Sequence, residues 1–284
     1  MPLYRPSELQ KFLSLLGIFP KKQLSQNFLI DGNILKKIAR FADLRADDYV
    51  IEIGPGPGAL TEHLLGQGAS VLAIEKDATF AEALSRLAPQ GKKLEIVTLD
   101  FLDFPLVSHL AKKALPRQTV KVIANIPYHL TSPIIEKIIE ARAFIHSATL
   151  MVQHEVARRL VAPPKSPDMS SLTIFAGFYA DIHFGFVVPP KCFYPPPKVD
   201  SAVVRLDLHM APSGFDEERF FELVRAAFGQ RRKMLTSSLR KFASPDLITT
   251  TLSSLSISPK ARPEELSCAE WIQLFTTLSH ALPG

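Results

Sequence analysis

Tyr49-Val-Ile-Glu-Ile-Gly-Pro-Gly-Pro-Gly58 is the stretch that decides the fold. Its first half reads as a short buried strand, and the glycines and prolines read as a tight loop. A helical pattern then runs from Ala59 to Leu65. Working outward, Ser70–Ile74 is a second strand, followed by a helix over Ala78–Leu87. Leu94–Leu99 is a third strand and Val120–Ala124 a fourth. Apolar runs that alternate with helical segments predict an α/β fold, a parallel sheet with helices on both faces. Beyond it, Thr131 can cap a helix continuing from Pro133, and Ala148–Gln153 is another strand. Leu172–Phe178, Phe184–Val188 and Ala202–Leu208 complete the strand set. After Leu208 every candidate element is helical: Glu222–Phe228, Arg231–Phe242, Leu247–Leu255 and Cys268–Leu278. The reading is therefore an α/β domain over 1–208 and a small all-helical domain over 209–284.

At 284 residues the chain is long enough to bury a core without covalent staples. Its two cysteines, Cys192 and Cys268, are too isolated for a disulfide framework or a zinc ribbon, which points to a reducing, cytoplasmic setting. The apolar patch Phe12–Phe19 is broken by Ser14 and Gly17 and is too short to span a bilayer, so no membrane role is expected. The net charge is only +5, yet it is unevenly spread. Residues 1–40 carry seven basic and two acidic side chains, and residues 225–241 carry six basic and no acidic ones. Two basic islands on a mildly acidic body suit a polyanion that touches chosen surfaces, although each could be a solvated helix face.

Missing side chains in the glycine loop let backbone N–H groups approach a ligand, and the following helix N-terminus favours electron-rich atoms. Gly54, Gly56 and Gly58, with Ala59 behind them, also fit the G-x-G-x-x-G/A fingerprint. The loop alone therefore leaves open a nicotinamide cofactor, S-adenosylmethionine, or a turn without ligand. Glu75 closes the second strand, where two ribose hydroxyls could donate to one carboxylate, and Asp100 closes the third. Asp77 and Asp103 are the nearby decoys, read as a surface charge and a helix cap respectively. Asn125-Ile126-Pro127-Tyr128 ends the fourth strand. An exocyclic adenine amine is a poor nucleophile because its lone pair is delocalised into the ring. Accepting its two N–H hydrogens, on the Asn125 side-chain oxygen and the Ile126 carbonyl, favours a pyramidal nitrogen; Tyr128 can stack on the base.

These residues together resemble the S-adenosylmethionine-dependent rRNA adenine N6,N6-dimethyltransferases, in particular the bacterial KsgA type acting on small-subunit ribosomal RNA. The resemblance covers nearly the whole chain and implies a Rossmann-like methyltransferase sheet with a helical C-terminal domain. Gln23-Leu-Ser-Gln-Asn-Phe-Leu29 resembles the family's cofactor-flanking motif, which implies cofactor contacts at Asn27 and Leu29. Gly54, Glu75, Asp100 and Asn125 fall on its other cofactor positions, with Glu75 on the ribose and Asp100 near the cofactor adenine. Phe193-Tyr-Pro-Pro-Pro-Lys-Val-Asp-Ser201 resembles its post-catalytic loop, which implies that Phe193 faces Tyr128 across a flipped base. Phe228-Gly-Gln-Arg-Arg-Lys233 and Ser258-Pro-Lys-Ala-Arg-Pro-Glu264 match its helical domain. The chain departs from the family at Met169-Ser170, where an aromatic residue and Gly are common, and at Ser237, where Asn is common.

The implied reaction dimethylates two adjacent adenosines in a hairpin loop near the 3′ end of small-subunit rRNA, within a ribosomal precursor particle. The enzyme would act as a monomer, with S-adenosylmethionine as methyl donor and no metal. Arg231, Arg232 and Lys233 are the phosphate-binding candidates, a salt-bridge network being the alternative. Lys21 and Lys22 could guide RNA to the cleft or form a basic arm. His154 invites a general-base reading but has no partner acid at triad-like spacing, so a structural role is expected.

Overall fold

The computed structural model describes residues 3–18, 27–88 and 93–281. Among the described residues nine strands form: β1 (Phe28–Leu29), β2 (Tyr49–Ile53), β3 (Ser70–Glu75), β4 (Leu94–Thr98), β5 (Val120–Asn125), β6 (Ser147–Gln153), β7 (Ala180–Val188), β8 (Phe193–Tyr194) and β9 (Ser201–Leu208). Seven of them make one sheet in the order β4-β3-β2-β5-β6-β9-β7, and β1 pairs with β8 in a separate ribbon. The β4-β3-β2-β5-β6 run is parallel, and β9 joins it antiparallel along β6. Strands buried on both faces need apolar side chains throughout, and Val50, Ile51, Val71, Leu72, Val122 and Ile123 are fully inaccessible. The chain order reverses at β2, so the crevice beyond the carboxyl ends of β2 and β5 is the switch point where open α/β sheets bind ligands.

Two compact units result, one of residues 1–157 and 181–210, the other of 158–180 and 211–284. The sequence pattern assigns 158–180 to the first domain. That segment goes with the helices instead, because Leu172–Phe178, expected as a strand, is helix Ser171–Tyr179. The Ser170 N–H donates to Thr173 Oγ1 (3.0 Å) at its start, so the departure at Met169-Ser170 opens a helix. The Phe178 ring centroid lies 5.1 Å from those of both Phe215 and Phe220, and Trp271 is fully buried in the same unit. This aromatic cluster supplies the apolar burial that holds the helical unit together.

Three further expectations change. Asp77, not Asp103, is the helix cap: its carboxylate accepts from Thr79 N (2.9 Å) and Phe80 N (3.4 Å). The helix after Asp103 begins at Leu106 behind Pro105, without a side-chain cap. Thr131 starts its helix rather than capping it, and its hydroxyl donates to the Tyr128 carbonyl (2.9 Å). Arg231–Phe242 is a turn around one short helix, Leu235–Ser238, instead of a continuous helix.

Candidate active site

The glycine loop depends on backbone conformations that side chains resist. Gly54, Gly56 and Gly58 have φ of +60°, +54° and +89°. A Cβ at Gly58 would lie 2.5 Å from Leu84 Cδ2, whereas one at Gly54 would meet nothing within 4 Å. Gly58 is thus the packing glycine behind the loop, and it does not line the cavity that Gly54 and Gly56 border. That cavity has a volume of about 540 Å³, within the range of small-molecule sites.

The cavity also gathers Asn27, Leu29, Glu75, Asp100, Asn125, Ile126, Pro127 and Tyr128, from strand ends far apart in sequence. Glu75 Oε2 accepts from Gly56 N (2.8 Å) and Oε1 from Asp77 N (2.8 Å), so one carboxylate fixes both the loop and the turn after β3. Burial raises its pKa, and those backbone N–H bonds oppose the rise. Each carboxylate oxygen retains acceptor capacity beyond one backbone bond. Asp100 Oδ1 accepts from Leu102 N (3.0 Å) and Oδ2 pairs with Lys76 Nζ (2.8 Å), which holds its pKa down. Glu52, one residue before the end of β2, borders the same cavity with 1% exposure. Burial, with a smaller addition from the Glu75 charge, pushes its carboxyl up to about 8, Thr61 offsetting part of the rise.

Asn125 Nδ2 donates to the Asn27 carbonyl (3.1 Å). The amide nitrogen thereby donates to the backbone at Asn27, and the amide oxygen keeps its acceptor capacity. The Tyr128 hydroxyl lies 2.6 Å from Ser201 Oγ, which anchors the ring that follows the Asn-Ile-Pro turn.

Phe193 does not take its expected place. Its backbone pairs with Leu29, which draws the ring into the core with Ile34, Val188 and Val203; it is 2% exposed and does not line the cavity. His154 also stays outside the cavity, its N–H donating to the Asp200 carbonyl (3.0 Å) and its ring 6.1 Å from Phe184. Lys21 and Lys22 lie outside the described residues. Arg231, Arg232 and Lys233 are exposed in the turn after helix Glu217–Phe228, and Arg231 donates to the Pro167 carbonyl (3.0 Å). Leu3, Leu9 and Phe80 line the cavity although sequence reasoning does not select them. Apolar residues without a motif carry no sign of a ligand wall. Among the described residues no cluster of candidate metal ligands occurs, and no helix is long and apolar enough to cross a membrane.

The donor set suits S-adenosylmethionine. An open glycine cradle meets a carboxylate whose two oxygens are already oriented, beside a second acid at the next strand end. Comparisons with known proteins agree. A model of the ribosomal RNA adenine dimethylase family matches residues 20–280. The ribosomal RNA small subunit methyltransferase A of Protochlamydia amoebophila is 49% identical over 278 residues, spanning 98% of either chain. Its namesake from Chlamydia muridarum is 45% identical over 274 residues, 95% of this chain and 96% of that one. Among solved structures, a dimethyladenosine transferase from Plasmodium falciparum superposes with a TM-score of 0.76 at 26% identity, over 89% of this chain and 98% of its own. The 23S rRNA methyltransferase ErmE gives 0.70 at 28% identity, over 89% of this chain and all of its own. With the glycine cradle, the two strand-end acids and the Asn125–Tyr128 turn around one cavity, these matches place the chain in the ribosomal RNA adenine dimethylase family, whose methyl donor is S-adenosylmethionine.

Proposed function

We propose that the chain dimethylates N6 of two adjacent adenosines in a hairpin loop near the 3′ end of small-subunit rRNA, on a precursor particle in the cytoplasm, acting as a monomer. The observation that carries the site reading is the Asn125 bond to the Asn27 carbonyl, which leaves the amide oxygen to face a substrate amine.

Bound S-adenosylmethionine supplies an electrophilic sulfonium methyl group. Glu75 holds the ribose side of the donor through its remaining lone pairs, and Asp100 serves the donor adenine once Lys76 shares it. Asn125 Oδ1 and the Ile126 carbonyl accept the two N6 hydrogens, which concentrates the nitrogen lone pair toward the methyl group. Tyr128 stacks on the turned-out base; such stacking contributes on the order of 1–3 kcal/mol, enough to offset unstacking of a loop nucleotide. Phe193 supports the wall behind Leu29 instead of closing a sandwich. Arg231, Arg232 and Lys233, and Lys21 and Lys22, neutralise RNA phosphates. Rate enhancement comes from positioning and from aimed acceptors.

A labelled-methyl transfer assay on under-methylated small subunits and, in parallel, on unmodified large subunits, with the modified nucleotides mapped, tests this reading. Dimethyladenosine at two neighbouring positions is the expected product. Label confined to large-subunit rRNA would move the activity to the ErmE-like reaction, and absence of transfer would leave a binding role only.

A further inference from the structure

Ser201 reaches the site through Tyr128, and neither motif nor mechanism has given it a task. It is fully buried at the first position of β9, set opposite Gln153 of β6 by the antiparallel register. Its Oγ lies 2.6 Å from the Tyr128 hydroxyl. The Tyr128 side chain is therefore held at both ends, by the turn after β5 at its backbone and by β9 at its hydroxyl. A stacking ring fixed in this way presents one plane to a base.

We propose that Ser201 is a positioning residue for the flipped adenine, acting through Tyr128, and that it matters most in the second of the two methyl transfers. The proposal rests on Asn125, Ile126 and Tyr128 forming the base site. Unmodified N6 carries two N–H groups, one for the Asn125 oxygen and one for the Ile126 carbonyl. In the first transfer the N6 lone pair forms the new N–C bond as the S–CH3 bond breaks. The electron pair of that bond stays on sulfur, leaving a neutral thioether, and one N6 proton passes to water. The monomethylated amine keeps a single N–H, so one of the two acceptors loses its partner. Placement of the base then depends more on the ring beneath it, and a Tyr128 free to turn slows the second transfer more than the first.

Single-turnover methylation of under-methylated small subunits, with N6-methyladenosine and N6,N6-dimethyladenosine separated by mass spectrometry, tests this. Ser201→Ala is expected to slow the second transfer relative to the first by roughly three- to tenfold, the effect of losing one neutral hydrogen bond. Monomethyladenosine then accumulates. Tyr128→Phe removes the same bond from the other side while keeping the ring, and should give the same product ratio. The double variant should be no worse than either single one. Ser201→Thr, which retains the hydroxyl, should restore the wild-type ratio. An unchanged ratio in both Ser201→Ala and Tyr128→Phe overturns the proposal, as does equal slowing of both transfers. Should Ser201→Ala fail to fold, the Tyr128→Phe ratio decides alone. A wild-type protein that makes no dimethyladenosine overturns the base-site reading as well, whereas a dimethylating wild type with unaltered variants removes only Ser201.

Discussion

Glu52 offers a test of the cavity floor that needs no substrate. Its carboxyl is 1% exposed, and Oε2 has no hydrogen-bond partner among the described residues. Desolvation chiefly, with some repulsion from Glu75, raises its pKa from 4.5 to about 8. In the unfolded chain the same group titrates at an ordinary carboxyl value. A raised folded-state pKa means that the folded state holds the proton more tightly. The resulting stability is complete below the ordinary value and is lost as pH rises toward about 8. At about 1.4 kcal/mol per pKa unit, the loss between pH 5 and pH 8 is roughly 3–4 kcal/mol. Glu52→Gln matches the shape and does not titrate, so the difference between wild type and variant isolates this group from histidines such as His63, His109 and His146. Urea unfolding from pH 5 to pH 9 is the assay. Wild-type stability minus that of Glu52→Gln should fall by that amount up to pH 8 and level off above it. A difference constant across the range would show that Glu52 ionises like a solvated acid and that burial does not hold its proton.

Two further outcomes follow from the same geometry. Glu75→Ala should weaken S-adenosylmethionine binding by calorimetry and also lower stability, because it leaves Gly56 N and Asp77 N without their acceptor at about 1–3 kcal/mol each; unaltered affinity would remove the ribose assignment. Replacing Arg231, Arg232 and Lys233 by Gln should reduce the slope of log affinity for small-subunit rRNA against log salt by about one unit for each phosphate no longer neutralised, and an unchanged slope would return these residues to a structural role.

The sheet is legible in the sequence because each of its central strands is an apolar run bounded by turn residues, a pattern that burial on both faces requires. The motif residues are legible for a related reason: acids, amides and glycines at strand ends face the crevice by topology alone. Leu172–Phe178 reads as a strand because a short, continuously apolar run satisfies either period, and the deciding signal is local, the Ser170–Thr173 pair just before it. Asp77 reads as a surface charge because it stands just beyond the acid that closes the second strand, although its place just before Ala78 is the N-cap position. The position of Phe193 is not legible at all. Its burial comes from pairing with Leu29, a contact between distant segments that no local pattern announces.

The most direct test of the central claim compares Asn125→Ala with wild type on under-methylated small subunits, measuring RNA affinity and methyl incorporation on the same samples. Affinity is expected to stay within about twofold while incorporation falls by at least about 100-fold, the order for removal of a group that acts only as charge develops. Incorporation near the wild-type rate would contradict the claim, and so would a loss of binding large enough to explain the loss of transfer.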